Sequence, residues 1–177
     1  MRLTIPTPPP TPDSVIQDFA DMSAALTGFE SSVLKPELDP LDLAREYYNF
    51  ALSQVGEPML TKLLDTFRAI KTQPAQQIAD TLLETSASSL SCQAQIAQSI
   101  VAMWYLGSWY VPGVLGGFGF APPALQVISS TAYTNGLVWR VMQSHPMGYS
   151  PFTFGYWSET PKPLSDFGVN TGNGGGQ

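Results

Sequence analysis

The sequence predicts an all-α, single-domain helical bundle with a proline-rich arm in front and an aromatic extended segment behind. Apolar residues recur at i, i+3, i+4 and i+7 spacing in successive stretches between Asp13 and Val111. Each stretch is bounded by proline, glycine or a short polar break, and such short connections favour antiparallel helical neighbours. The chain has 177 residues, the size of one domain, and its 44% hydrophobic content is enough for a core.

The elements follow in order. Residues 3 to 12, LTIPTPPPTP, cannot build a hydrogen-bond ladder, so residues 1–12 read as an extended arm. The bundle occupies 13–143. Asp13-Ser14 opens its first helix, where Ser14 and Gln17 have capping-box spacing. Val15, Ile16, Phe19, Met22, Ser23 and Leu26 form the buried stripe, and Gly28 ends it. Asp39-Pro40 opens the second, with Pro40 at the first helical position and Leu41, Ala44, Tyr47, Tyr48, Ala51 and Leu52 facing inward. Gly56 stops it. Glu57-Pro58 opens the third, packed through Leu60, Leu63, Leu64, Phe67 and Ile70, and Pro74 opens a fourth with Ile78, Leu82 and Leu83.

A central helix is expected over Gln93 to Val111, with Ile96, Ile100, Met103 and Gly107 on one face and Ala97, Val101, Trp104, Tyr105 and Ser108 on the next. Gln93, Gln95, Gln98 and Ser99 mark a wetter side over its first half. Its apolar run, Ile100 to Val111, is too short for the ~20 residues of a membrane span, and Pro112-Gly113 stops it. Pro112 to Pro123 reads as a loop, because its glycines fit neither dinucleotide nor phosphate-loop spacing. Ala124 to Met142 is expected to be a further helix, weakened by Gly136. Residues 144–170 form the extended aromatic segment and 171–177, TGNGGGQ, a flexible tail.

Charge excludes some functions. Only 12% of residues are Asp, Glu, Lys or Arg, and the net charge is -6. Eight basic residues, spread from Arg2 to Lys162, form no cluster to neutralise phosphates, so no nucleic-acid partner is expected. A surface so poor in charge is expected to face a protein partner over part of its area. In the segment Ser144 to Pro163, Tyr149, Phe152, Phe154, Tyr156 and Trp157 suit contact with a partner, and equally suit wrapping over the chain's own bundle.

Catalytic chemistry is hard to assemble. His145 is the single histidine, lying between Ser144 and Pro146 without marked Ser or acid partners. No H-E-x-x-H, cysteine pair or EF-hand spacing offers a metal site, and Asp39 and Asp42 read as charges at a helix start. No catalytic, cofactor or metal residue is therefore assigned to this chain. Cys92, the single cysteine, excludes an internal disulfide and reads as a buried structural thiol. No signal peptide is visible, since Met1-Arg2-Leu3 leads into proline rather than an apolar run and no paired arginine occurs.

Three islands, in order, carry a resemblance. Asp18 to Gly28, DFADMSAALTG, resembles an F-x-x-x-S-x-x-L-T-G helix; Trp104-Tyr105-Leu106-Gly107 resembles W-Y-x-G. Tyr133 to Trp139, YTNGLVW, followed by Gly155 to Pro161, GYWSETP, resembles Y-x-x-A-L-M-W and G-x-W-x-x-x-P. These are patterns of the small (gamma) subunit of bacterial membrane-bound, FAD-dependent sugar and polyol dehydrogenases, the sorbitol, fructose, glucose and gluconate dehydrogenase group. The resemblance covers about half to two-thirds of the chain.

The resemblance implies a non-catalytic accessory subunit. It would bind and stabilise a large FAD-containing subunit of the glucose-methanol-choline type and assist its maturation and export. The FAD, and any iron–sulfur cluster, would belong to that partner, and a multihaem cytochrome c subunit would pass electrons on. The complex would sit in the periplasm at the inner membrane, with membrane association only through the complex. The chain departs from the pattern in four respects. Family members usually carry a twin-arginine signal, Ser150 stands where relatives often have cysteine, Gly136 replaces an alanine, and the glycine-rich loop from Pro112 to Pro123 is longer than the pattern implies.

On this reading the partner-binding candidates are Trp104, Tyr105, Trp139, Tyr149, Phe152, Phe154, Tyr156 and Trp157, burying apolar area partly in the bundle and partly against the flavin subunit. Two other readings stand beside it. One is a small hydrolase using His145, the other a free-standing helical adaptor whose proline arm is read by a groove.

Overall fold

The computed structural model describes residues 11–113, 125–146, 160 and 163–169. The chain is all-α, with one two-stranded antiparallel ribbon among the described residues. Helix α1, Asp13–Thr27, is the first layer and touches α2 (Ser31–Leu34), α3 (Leu43–Val55), α4 (Glu57–Ile70), α5 (Ala75–Leu83) and α6 (Cys92–Leu106). Among the described residues, no helix is long and apolar enough to cross a membrane.

Helix α1 buries Ile16, Phe19, Ala20, Met22, Ser23 and Leu26, close to the expected stripe, while Val15 is only half-buried. Its N-terminus corrects the capping-box expectation. Pro12 is the cap residue, its carbonyl accepts from Val15 and Ile16 N–H, and no side chain caps the end. Gln17 instead donates to Asp21 at 2.8 Å and to Ser31 at 3.2 Å, fastening the short α2 beneath α1. Gly28 closes the helix in the left-handed conformation, as expected.

The start of α3 is also corrected. Pro40 lies in the preceding turn, where the Asp39 carboxylate accepts from the N–H groups of Leu41 (3.0 Å) and Asp42 (2.9 Å). This side-chain turn satisfies donors that a helix beginning at Pro40 would leave open, and the helix proper begins at Leu43. Leu41 is consequently exposed rather than packed. Helices α4 and α5 begin after Gly56 and Pro74 and bury Leu60, Leu63, Leu64, Phe67, Ile78 and Leu82, as their periodicity required.

Helix α6 runs through the core, with Ala94, Ile96, Ala97, Ile100, Met103 and Trp104 buried. Two expectations fail here. Ser99, placed on the wet side, is fully buried and donates to the Gln95 carbonyl at 3.1 Å, which satisfies its hydroxyl within the helix. The helix also stops at Leu106 instead of Val111. Gly107 takes φ +62°, its N–H returns to the Met103 carbonyl, and Ser108–Tyr110 becomes strand β1, paired with β2, Leu125–Val127. The aromatic pair Trp109 and Tyr110 suits a pleated strand, and Trp109 is buried against Phe50.

The single helix expected over Ala124 to Met142 is instead β2 followed by two short helices, α7 (Ser130–Thr134) and α8 (Leu137–Val141), broken at Asn135-Gly136. Ser129 caps α7 through the Ala132 N–H at 3.0 Å, a start signal inside the expected helix. A 3-10 turn over Leu164–Phe167 packs on α8, and Val169 then bridges Phe29 while the Glu30 N–H donates to the Gly168 carbonyl at 3.0 Å. The residues near position 169 therefore return to the end of α1. Most of the proline arm (1–10), most of the glycine loop (114–124), the aromatic strip 147–159 and the tail 171–177 lie outside the described residues.

Candidate functional site

Asp18 to Gly28, Trp104 to Gly107 and Tyr133 to Trp139 meet in space, and two glycines allow it, while 155–159 and 161 lie outside the described residues. At Gly107 an added Cβ would lie 2.5 Å from the Ala132 and Tyr133 backbone, so the end of α6 and helix α7 touch main chain to main chain. The Ile128 N–H donates to the Gly107 carbonyl at 3.2 Å, drawing in the end of β2. At Gly136 an added Cβ would lie 2.7 Å from the Tyr105 carbonyl oxygen. The Tyr105 hydroxyl reaches the other way and donates to the Thr27 carbonyl at 2.9 Å, tying W-Y-x-G to L-T-G. Burial raises the Tyr105 phenol above its ordinary range. Trp139 donates from Nε1 to the Tyr133 carbonyl at 2.8 Å, and the two rings pack edge-on at 5.5 Å.

These contacts divide the candidate partner residues. Trp104 is core: it is 3% exposed, packs edge-on to Tyr47 at 4.6 Å, and so offers a partner almost no area. Tyr105 is half-buried with its hydroxyl committed to Thr27, and Trp139 is half-buried beside Tyr133. Tyr149, Phe152, Phe154, Tyr156 and Trp157 lie outside the described residues.

The exposed apolar residues of this region are ones that sequence reasoning did not select as partner contacts. Leu106 (38% exposed), Val127 (56%), Tyr133 (39%), Val141 (37%) and Met142 (65%) lie on or next to α6, β2, α7 and α8, where α6 touches α7 and α8 and α7 touches β2. Periodicity put Leu106, Val141 and the β2 residues inside longer helices, which hid them. A plainer signal was present: between Glu84 and Glu159 the only Asp, Glu, Lys or Arg is Arg140. The charges gather elsewhere. Arg45 pairs with Asp42 at 2.8 Å and with Asp13, and Arg68 pairs with Asp18 at 2.7 Å and Asp65 at 2.8 Å. Arg140, exposed on α8, makes no ion pair or side-chain hydrogen bond among the described residues.

A concavity of about 950 Å³ lies between the end of α1, α2 and the turn joining α4 to α5. Phe29, Phe67 and Ile78 line it, and two of its polar groups are tied to each other: Ser31 donates to Asp21 at 2.5 Å, and Gln17, from outside the lining, joins the same pair. Chemistry-bearing residues are scattered. Cys92 is exposed at the first position of α6, not the buried thiol expected, because the helix starts at the cysteine itself and turns it outward. His145 follows α8, with Nδ1 3.1 Å from the Pro146 carbonyl oxygen. No group of three or more His, Cys, Asp or Glu is placed to hold a metal among the described residues.

No family model, curated protein or solved structure matches the chain.

Proposed function

We propose that this chain is a non-catalytic accessory subunit that binds and stabilises the large FAD-containing subunit of a sugar or polyol dehydrogenase complex. The observation that carries the reading is the exposure of Leu106, Val127, Tyr133, Val141 and Met142 on neighbouring elements, in a stretch of sequence almost free of charge. Large apolar side chains left exposed in a charge-poor region favour a contact with protein, and aromatic side chains are among the residues that dominate such contacts. The resemblance of the three islands to small-subunit motifs supports the choice of partner. Binding the folded, flavin-loaded partner alone would stabilise it by mass action. The flavin, any iron–sulfur cluster and the hydride chemistry belong to that partner on this reading. A multihaem cytochrome c would complete a periplasmic complex at the inner membrane.

The test is co-expression of the tagged chain with the flavin subunit of its own organism, followed by affinity purification and an absorbance spectrum. A stoichiometric yellow complex, with dye-linked sugar oxidation that needs this chain for assembly, is the expected result. A monodisperse chain that captures no flavoprotein overturns the reading.

A further inference from the structure

We infer that Asn135-Gly136, the joint between α7 and α8, is a self-modifying site: the fold holds it shut, and it deamidates when the joint opens. Gly136 has φ -54°, a value open to any residue, so the glycine is there for space. An added Cβ would lie 2.7 Å from the Tyr105 carbonyl oxygen. That packing demand has a chemical consequence. A residue without a side chain leaves its backbone nitrogen free to attack the amide of an asparagine before it, which makes Asn-Gly the most labile asparagine pair. Asn49 and Asn170 precede Phe50 and Thr171, whose side chains hinder the same attack.

The reaction consumes only water. The Gly136 nitrogen gives up its proton and attacks Cγ of Asn135, the Cγ–Nδ2 bond breaks, ammonia leaves and a cyclic succinimide remains. Water then opens the ring at either carbonyl, giving aspartate, or isoaspartate with the main chain routed through the side chain. In the folded chain each reacting group is engaged. Asn135 is exposed to water, but its side-chain nitrogen donates to the Thr131 carbonyl at 2.9 Å, and its ψ of 9° turns the Gly136 nitrogen away from the side chain. Gly136 is buried, its N–H donates to the Tyr133 carbonyl at 3.3 Å, and its own carbonyl accepts from the Trp139 N–H at 3.2 Å. The Trp139 indole donates to the same Tyr133 carbonyl at 2.8 Å, so α8 fixes the acceptor that holds Gly136. Attack therefore waits for a local opening of α7 and α8. Neither product refits. An ionised aspartate can only accept where Asn135 donates to Thr131, and isoaspartate lengthens the main chain beside the Tyr105 contact, where a methyl group has no room. A transient opening is thereby made permanent.

The experiment incubates the purified full chain at mildly alkaline pH, folded and in urea, and follows residue 135 by peptide mapping, with enzymatic methylation of isoaspartate as a second readout. In urea Asn135 should convert at a rate comparable to Asn173, the chain's other asparagine before glycine. In the folded chain it should convert at least about tenfold more slowly than in urea. Trp139→Phe keeps a ring but removes the indole donor, so it should raise the folded rate and leave the urea rate unchanged. The separated isoaspartyl form should exchange its α7 and α8 amide hydrogens faster than the parent, while α1 to α5 exchange as before. No conversion in urea overturns the site, and a folded rate equal to the urea rate overturns its protection by the fold. An isoaspartyl form with parental exchange in α7 and α8 overturns the permanence of the opening.

Discussion

At the scale of single residues, the glycines separate backbone conformation from space. Gly28 and Gly107 both hold positive φ, +78° and +62°, yet an added Cβ meets nothing within 4 Å at Gly28 and the Ala132 backbone at 2.5 Å at Gly107. Gly28→Ala should cost only the left-handed strain, about 1 kcal/mol, whereas Gly107→Ala adds a main-chain collision and should cost about 3 kcal/mol or more. Thermal midpoints of the two variants check this, and equal shifts would show that α7 yields freely. Tyr47 gives a pH prediction. Burial, with a smaller contribution from Glu46, raises its phenol far above the ordinary value of 10.0. The folded state therefore holds the proton more tightly than the unfolded chain, so the stabilisation is complete below pH 10 and is lost as pH rises beyond it. Urea midpoints at pH 8 and about 10.5 should fall less in Tyr47→Phe than in the parent. At pH 8 the variant should lose about 0.5 kcal/mol, since the hydroxyl makes one long bond, 3.4 Å, to the Ala132 carbonyl.

At the scale of elements, the N-terminal half was legible and the later half was not, for a physical reason. Helices α1, α3, α4 and α5 each bury one stripe against the others, so their period appears directly in the order of apolar residues. Gly28, Gly56 and Pro74 punctuate them where expected. After Leu106 nearly every residue is apolar or small, periodicity loses contrast, and the helix–strand decision passes to contacts distant in sequence. Gly107 ends α6 with a left-handed cap, but that the Ala132 backbone lies against it, and that a strand follows, is not encoded by its neighbours or its hydropathy. The candidate surface suffered likewise: the aromatic residues drew attention, while Leu106, Val127 and Met142 became visible only once the elements were placed. Charged joints between elements were outside the reach of pattern as well. Arg68 on α4 crosses to Asp18 on α1 at 2.7 Å while also holding Asp65 in its own helix. Hydrogen bonding to Asp18, then to Asp65, raises the guanidinium above its ordinary value. The groups are partly exposed, so Arg68→Ala should cost only about 0.5 to 1 kcal/mol. That difference should shrink in about 1 M salt, where screening reaches only about 3 Å. A salt-independent loss would assign the effect to packing of the side-chain stem instead.

At the scale of the whole molecule, charge and apolar surface are segregated along the chain. Among the described residues the paired arginines and every acid but Asp166 lie on α1 to α5 and their turns, while most exposed large apolar residues, Leu38 and Leu41 apart, come from Leu106 onward. At pH 7 the net charge of -6 holds copies apart, and near the sequence pI of about 4.5 that repulsion vanishes. The isolated chain should therefore be dispersed at pH 7 to 8 and associate near pH 4.5. Met142→Lys should reduce the association, as light scattering would record, and an undiminished signal would place the sticky surface elsewhere. The bridge between Phe29 and Val169 has a temporal meaning. During synthesis α1 to α6 can dock from local contacts as they leave the ribosome, but the strand-like contact at Phe29 waits until residue 169 has emerged. Closing so long a loop comes late and slowly, so the nascent chain passes through a stage with its helices formed and the pairing face beside α1 still open.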